Sequence, residues 1–292
     1  MLEHGRQDHP EHAGRLQAIL DAIEQSPFKA FLHTKCERLA TQEELCMAHD
    51  EEYVRYILSL DGVELALDAE THITAHSVTA ARVAAALSLE LVERIVQGQV
   101  YSRGFALIRP PGHHAGIRSA MGYCIFNNVA LAAKRACQLG LSRVAIVDWD
   151  VHMGNGTMEI VRGDARILCI DVHEEQLFPK DVDYSALASK ELFLVPLARG
   201  AGDIEYLDAF KTRVLPRLRQ FQPQLVLVSA GFDAHESDPM GGMYVTTQGF
   251  MDLTKLVLSS CPKVAFFLEG GYNSFFLAQN VIGCLHAAGC EN

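Results

Sequence analysis

Nine consecutive residues concentrate groups that can do chemistry: Asp148-Trp149-Asp150-Val151-His152-Met153-Gly154-Asn155-Gly156. They follow the apolar run Val144-Ala145-Ile146-Val147, whose length and β-branched content predict a buried parallel strand. Open α/β sheets bind ligands where such strands end. Asp150 and His152, two apart in an extended segment, point to one face, and Gly154 and Gly156 let the chain turn away from them. A carboxylate and an imidazole meeting there suit a metal ion. Three further strand ends carry reactive groups. Arg109-Pro110-Pro111-Gly112-His113-His114 follows Phe105 to Ile108, and Ser229-Ala230-Gly231-Phe232-Asp233-Ala234-His235-Glu236-Ser237-Asp238-Pro239 follows Leu225 to Val228. Glu269-Gly270-Gly271-Tyr272-Asn273 follows Val264 to Leu268. A lone histidine would read as a satisfied core residue, and a lone Gly-Gly-Tyr as a turn. Four such ends on one sheet edge point instead to a metal-centred active site.

The elements that must position these groups follow from periodicity. Leu16, Ile19, Leu20 and Ile23 mark one face of a helix over 12–24, and helical patterns also cover 43–60 and 77–97. From residue 103 onward apolar strands near 103–108, 143–148, 166–172, 192–196, 224–230 and 263–268 alternate with helices near 126–139, 155–162, 203–219, 246–260 and 274–288. That alternation predicts an α/β fold with a parallel sheet covered on both faces. Without a Ser/Gly-rich linker, internal repeat or low-complexity stretch, residues 1–292 read as a single domain.

Composition narrows the function class. The chain has 292 residues, 49% of them hydrophobic and 21% charged, which is ordinary for a globular protein with one large core. No apolar run approaches the roughly 20 residues that span a bilayer, and the start lacks the pattern of a signal peptide, so a cytoplasmic location and no membrane partner are expected. The eight cysteines form no C-x-x-C pair and read as reduced and structural. A net charge of −11 argues against a nucleic-acid partner and mildly favours cationic substrates.

Taken together these stretches resemble the histone deacetylase family, with its bacterial amidohydrolase and acetylpolyamine amidohydrolase relatives. The resemblance runs from His9-Pro10-Glu11 and Arg15 through Pro110 to His114, Gly122-Tyr123-Cys124-Ile125-Phe126-Asn127-Asn128 and the Asp148 stretch to Asp233–Asp238 and Glu269–Tyr272. It implies an arginase-deacetylase type three-layer α/β/α sandwich holding one Zn2+, with Fe2+ or Co2+ as substitutes. By position it makes Asp150, His152 and Asp238 the ligands, His113 and His114 the acid and base with Asp148 and Asn155 as their partners, and Tyr272 the oxyanion donor. Gly122, Tyr123, Phe178, Met240 and Gly271 would line a narrow substrate channel. Oxygens at Asp148, Asp150, His152, Asp171 and Val172 would hold a structural K+. The implied activity is removal of acetyl or longer acyl groups from lysine in peptides or proteins, with acetylpolyamines as an alternative substrate and a non-catalytic acetyl-lysine binding module as the alternative of another class.

Departures from the family pattern are Met153, where a second histidine is usual, Asp171, often a serine, and the short segment before His9. A two-manganese ureohydrolase of similar fold would need carboxylates at positions 154 and 235, which are Gly154 and His235. At the expected channel mouth Met240 offers an adaptable apolar wall and no countercharge, favouring an acyl-lysine over a polyamine.

Overall fold

The structure is a computed structural model that describes residues 1–32, 38–98, 102–180, 183, 187 and 189–289. Its centre is a six-stranded, all-parallel sheet. In chain order the strands are a small antiparallel pair, β1 (Leu65–Ala66) and β2 (His72–Ile73), and then the sheet strands β3 (Arg103–Ala106), β4 (Val144–Asp148), β5 (Ile167–Glu174), β6 (Leu192–Leu197), β7 (Leu225–Ala230) and β8 (Val264–Leu268). The spatial order is β3-β8-β7-β4-β5-β6. The chain lays down β4, β5 and β6 toward one edge, then returns to place β7 on the other flank of β4. The β4/β7 border is therefore the point where the winding reverses and a crevice opens beyond the strand ends. Every residue of β4, β7 and β8 is buried, as expected for strands covered on both faces by helices. The register aligns Asp148 with both Asp171 and Ser229, so polar side chains share one level across the sheet.

All six sheet strands lie where periodicity predicts them. The helix expected over 43–60 is instead two, Gln42–Leu45 and Glu51–Ser59. The break follows from capping: the Asp50 side chain accepts from the Glu52 N–H and starts a new helix, while buried His49 bonds Gly116. Over 203–221 a π-helical turn, Phe210–Val214, joins two short α-helices. The first helix, Gly14–Glu24, packs on the last, Ser274–Ala287. Among the described residues no helix is long and apolar enough to cross a membrane. Cys46, Cys124, Cys137, Cys169, Cys261 and Cys284 are free thiols, and Cys36 and Cys290 lie outside the described residues.

Candidate metal centre and active site

At the β4/β7 border, Asp150, His152 and Asp233 each offer an atom within 4.8 Å of the others, and all three are buried. His152 Nδ1 lies 3.0 Å from Asp150 Oδ1 and 3.2 Å from Asp233 Oδ2. The remaining carboxylate oxygens are used to hold the cluster: Asp150 Oδ2 accepts from Gly270 N–H at 2.9 Å and Asp233 Oδ1 from Val151 N–H at 2.9 Å. Glycine at 270 is required, because a Cβ there would stand 2.0 Å from Asp233 Oδ2.

Asp238, which the sequence reading took as the third ligand, stands on the same loop as Asp233, and its carboxylate meets backbone N–H groups. Asp238 Oδ2 accepts from Tyr272 N–H at 2.6 Å and Asn273 N–H at 3.3 Å, and Oδ1 accepts from Met240 N–H at 3.0 Å. Asp233 is three residues past Ala230, where β7 ends, and Asp238 is eight past.

The donor set fits a divalent cation. Asp233 Oδ2 is buried and lacks a hydrogen-bond donor of good geometry, and burial together with the Asp150 carboxylate pushes the Asp233 carboxyl up. Two acids and an imidazole held together with one oxygen left over are costly without a positive ion and favourable with one. Two acids, one nitrogen and no thiolate suit Zn2+ and also Fe2+ or Co2+. No carboxylate completes a second metal: Gly154 has no side chain, and His235 is stacked on Phe276 with centroids 4.6 Å apart.

The tandem histidines stand beside this group, as expected, with their rings 4.0 Å apart. His113 Nδ1 lies 3.1 Å from Asp148 Oδ2, and His114 Nδ1 lies 2.7 Å from Asn155 Oδ1. The unequal partners separate their protonation. Burial opposes charge on His113, but the Asp150 and Asp148 carboxylates outweigh it and raise its pKa well above the usual value. Burial, with His113 and His152 nearby, pushes His114 well below it. The two pKa values are thus pushed in opposite directions, the arrangement general acid–base chemistry uses.

Glu269 at the end of β8 holds the histidine loop, and the sequence reading gave it no role. Its Oε2 accepts from the N–H groups of Gly112 at 2.7 Å and His113 at 3.2 Å. The signal was available: a fully buried acid directly after a strand must find donors. Arg15 grips the neighbouring backbone, its Nε donating to Gly271 O and its Nη2 to Glu269 O, both at 2.6 Å, while its guanidinium lies 4.9 Å over the Tyr272 ring. Glu11 bridges Arg15 and Arg109, and with His4 these cations hold its carboxyl low despite burial.

Of the expected channel residues, Phe178 and Gly122 stand beside the histidines and Tyr123 beside Tyr272. Phe178 meets His114 edge-on at 5.0 Å and His152 at 6.2 Å. Tyr123 meets Tyr272 at 6.0 Å and His9 at 4.6 Å. Tyr123 has φ +68° and its N–H donates to Thr71 Oγ1, so the β1–β2 hairpin segment supports it. Gly122, with φ +54°, must lack a side chain because a Cβ would lie 2.4 Å from His114 Cδ2. Met240 is half-buried. Met153, at the place of the missing histidine, is a buried packing residue whose N–H donates to Phe178 O at 3.1 Å. Of the residues expected to hold K+, Asp148 and Asp171 are neighbours across the sheet, yet Asp171 is engaged by Gly154 N–H at 2.8 Å and His173 Nδ1 at 2.5 Å.

Comparison with known proteins identifies the family and the fold. The histone deacetylase domain profile matches residues 9–288. The chain belongs to the histone deacetylase family. It is 38% identical to histone deacetylase 15 of Arabidopsis thaliana, over 91% of the chain and 50% of that protein. It is 40% identical to polyamine deacetylase HDAC10 of Mus musculus, over 91% of the chain and 43% of that protein. The chain therefore spans half or less of these two relatives, but 92% of a Synechocystis protein, slr0245, to which it is 36% identical. The crystal structure of the HDA15 HD domain superposes with a TM-score of 0.94 at 36% identity, covering 99% of this chain and 85% of that one. The fold is accordingly the arginase-deacetylase type α/β/α sandwich.

Proposed function

We propose that this family member is a metal-dependent amidohydrolase that removes acetyl or related acyl groups from the ε-amino group of lysine in peptides or proteins. The observation that carries the reading is the joint burial of Asp150, His152 and Asp233 beside two histidines with unequal partners, Asp148 for His113 and Asn155 for His114. Asp150 and His152, with the expected ligand Asp238 on the loop that also carries Asp233, would hold one Zn2+, with Fe2+ or Co2+ as substitutes. When bound, such an ion polarises an acyl carbonyl and lowers the pKa of water.

The chain's own residues supply the rest. Neutral His114, its Nδ1 held by Asn155, accepts the proton of the attacking water. Charged His113, paired with Asp148, stabilises the anionic intermediate and is a proton source for the departing amine. Tyr272, its phenol kept protonated by burial, donates a hydrogen bond to the oxyanion. Tyr123 and Phe178 present flat apolar faces to the aliphatic stem of the substrate. Carbonyl oxygens of Asp148, Asp150, His152 and Val172, with Asp171, are the groups assigned to a structural K+. A binding module without turnover has no use for Tyr272 or for separated histidine protonation.

A second reading, acetylpolyamine hydrolysis, is favoured by the 40% identity to a polyamine deacetylase. Met240 weighs against it, because a secondary ammonium group entering there meets a thioether and no carboxylate. The test compares kcat/KM for an acetyl-lysine peptide and for N8-acetylspermidine at one ionic strength. The peptide is expected to be the better substrate, a clear preference for the polyamine would transfer the assignment, and no turnover of any acyl-amine would refute hydrolase function.

A further inference from the structure

One buried acid ties together the loops that carry Phe178 and Met240. Glu174 closes β5, a few residues before Phe178, and is 3% exposed. Its Oε2 accepts from Gly242 N–H at 2.7 Å, just past Met240, and its Oε1 accepts from Arg199 Nη1 at 3.0 Å. Arg199 lies on the turn after β6. There Gly200 N–H donates to Gly242 O at 2.9 Å and Tyr244 N–H donates to Ala201 O at 2.8 Å, so this turn runs alongside the Met240 loop. The guanidinium lies flat on Gly242: a Cβ there would stand 2.4 Å from Cζ, 2.6 Å from Nε and 2.7 Å from Nη1. Three near-equal distances place the glycine over the face of the group and leave its edges open. The Arg199 side chain is 69% exposed. An exposed arginine ordinarily spends entropy on any ion pair it makes, but here a buried carboxylate and a seat without a side chain already hold the group in place.

Glu174 answers the charge of Arg199 without using up its donors. The bond runs through Nη1, and among the described residues Nε and Nη2 have no acceptor. Those two N–H groups form one planar edge, which can take a carboxylate through two parallel hydrogen bonds. Because Glu174 sits on the buried side, the pair turns its positive end outward, beside the loop that carries Met240. We infer that Arg199 is a specificity-determining residue whose free edge receives a carboxylate borne by the substrate, so that the chain favours acyl-lysine with an Asp or Glu close by in the peptide. The inference rests on the hydrolase reading and on Met240 at the channel mouth. The net charge of −11 by itself favours cationic sequences, so a preference for an acidic neighbour has a local cause.

The test uses the metal-loaded protein and acetyl-lysine peptides that differ only in one residue, Glu or Gln, moved stepwise along either side of the acetyl-lysine. At one or more of these positions wild type is expected to prefer Glu by about two- to fivefold in kcat/KM, the scale of a single exposed ion pair, with the difference in KM and not in kcat. Arg199→Gln is expected to lose that preference. Arg199→Lys keeps a cation for Glu174 but has no two-donor edge, so it is expected to retain only part of the preference, and it carries the comparison if Arg199→Gln does not fold. Equal turnover of the Glu and Gln peptides at every position would overturn the inference, as would a Glu preference that survives either substitution undiminished. No turnover of any peptide would overturn the hydrolase reading and this inference with it, whereas turnover without a Glu preference removes the inference alone.

Discussion

The two ends of the central sheet solve different problems with the same strands. At the amino ends of β4 and β7 polar groups near solvent join the strands through Gln224. Gln224 Oε1 accepts from the N–H groups of Ser142 at 2.8 Å and Arg143 at 3.1 Å, and Gln224 N–H donates to Arg143 O at 2.8 Å. At the carboxyl ends Asp148, Asp150, Asp171, Asp233 and Glu269 are all at most 1% exposed. Burying five acids within one crevice opposes folding unless cations and donors answer each one. The amino end holds the sheet together; the carboxyl end spends stability on a preorganised electrostatic site.

The sharpest way to break that contrast is to remove the acid at its centre. Asp233→Ala is expected to abolish stoichiometric metal binding after dialysis and to cost more than the roughly 10²-fold in activity typical of losing a mere partner of a metal ligand. In chelator, where no cation answers Asp150, the less charged Asp233→Asn should be more stable than wild type by about 1 kcal/mol or more. Metal analysis and denaturant titration with and without chelator read both effects, and a variant that still holds one metal would return the third-ligand role to another residue.

A smaller effect comes from His49, which is buried near the crowded end but kept uncharged. Its Nδ1 lies 2.8 Å from Gly116 O, its Nε2 accepts from Asn127 N–H at 2.9 Å, and burial lowers its pKa to about 4. The unfolded chain protonates this histidine near its ordinary value of about 6.5, so its contribution is complete above that pH and is lost as pH falls toward 4. Between pH 7 and 5 the loss is about 2 kcal/mol. His49→Gln should therefore be the less stable protein at pH 7, with the gap to wild type narrowing by about that amount at pH 5. A gap independent of pH would show that His49 is not held neutral. The smallest effect belongs to the amino end: Gln224→Ala should cost about 1 kcal/mol in stability and leave kcat unchanged.

What could be read from the residues alone follows the same division. The six sheet strands were legible because β-branched runs with turn residues after them have few other uses, and the strand-end motifs marked the edge at which chemistry collects. The two-residue strands β1 and β2 carry too short a pattern to read. The break before Asp50 was written only in a cap inside a continuous helical periodicity. Asp233 and Asp238, two acids on one loop, are equivalent in composition, and that Asp233 meets Asp150 and His152 shows only in the fold. Glu269 was visible as a motif residue, but its grip on Gly112 and His113 depends on β8 lying beside β3, which pattern does not reveal.

Arg15 ties the site to the order in which the molecule is made. Its guanidinium donates to carbonyls 254 and 256 residues further along the chain. Synthesis proceeds from the amino end at about 5–20 residues per second, so Arg15 and the helix bearing it wait on the order of ten to fifty seconds for those partners. During that interval the face of Leu16, Ile19 and Ile23 has no last helix to pack on. Closing so long a loop is among the latest and slowest contacts a chain makes. The tyrosine loop can therefore be fastened only once β8 has been made: a polypeptide released before that has both histidines but neither Glu269 nor Tyr272 to complete the centre.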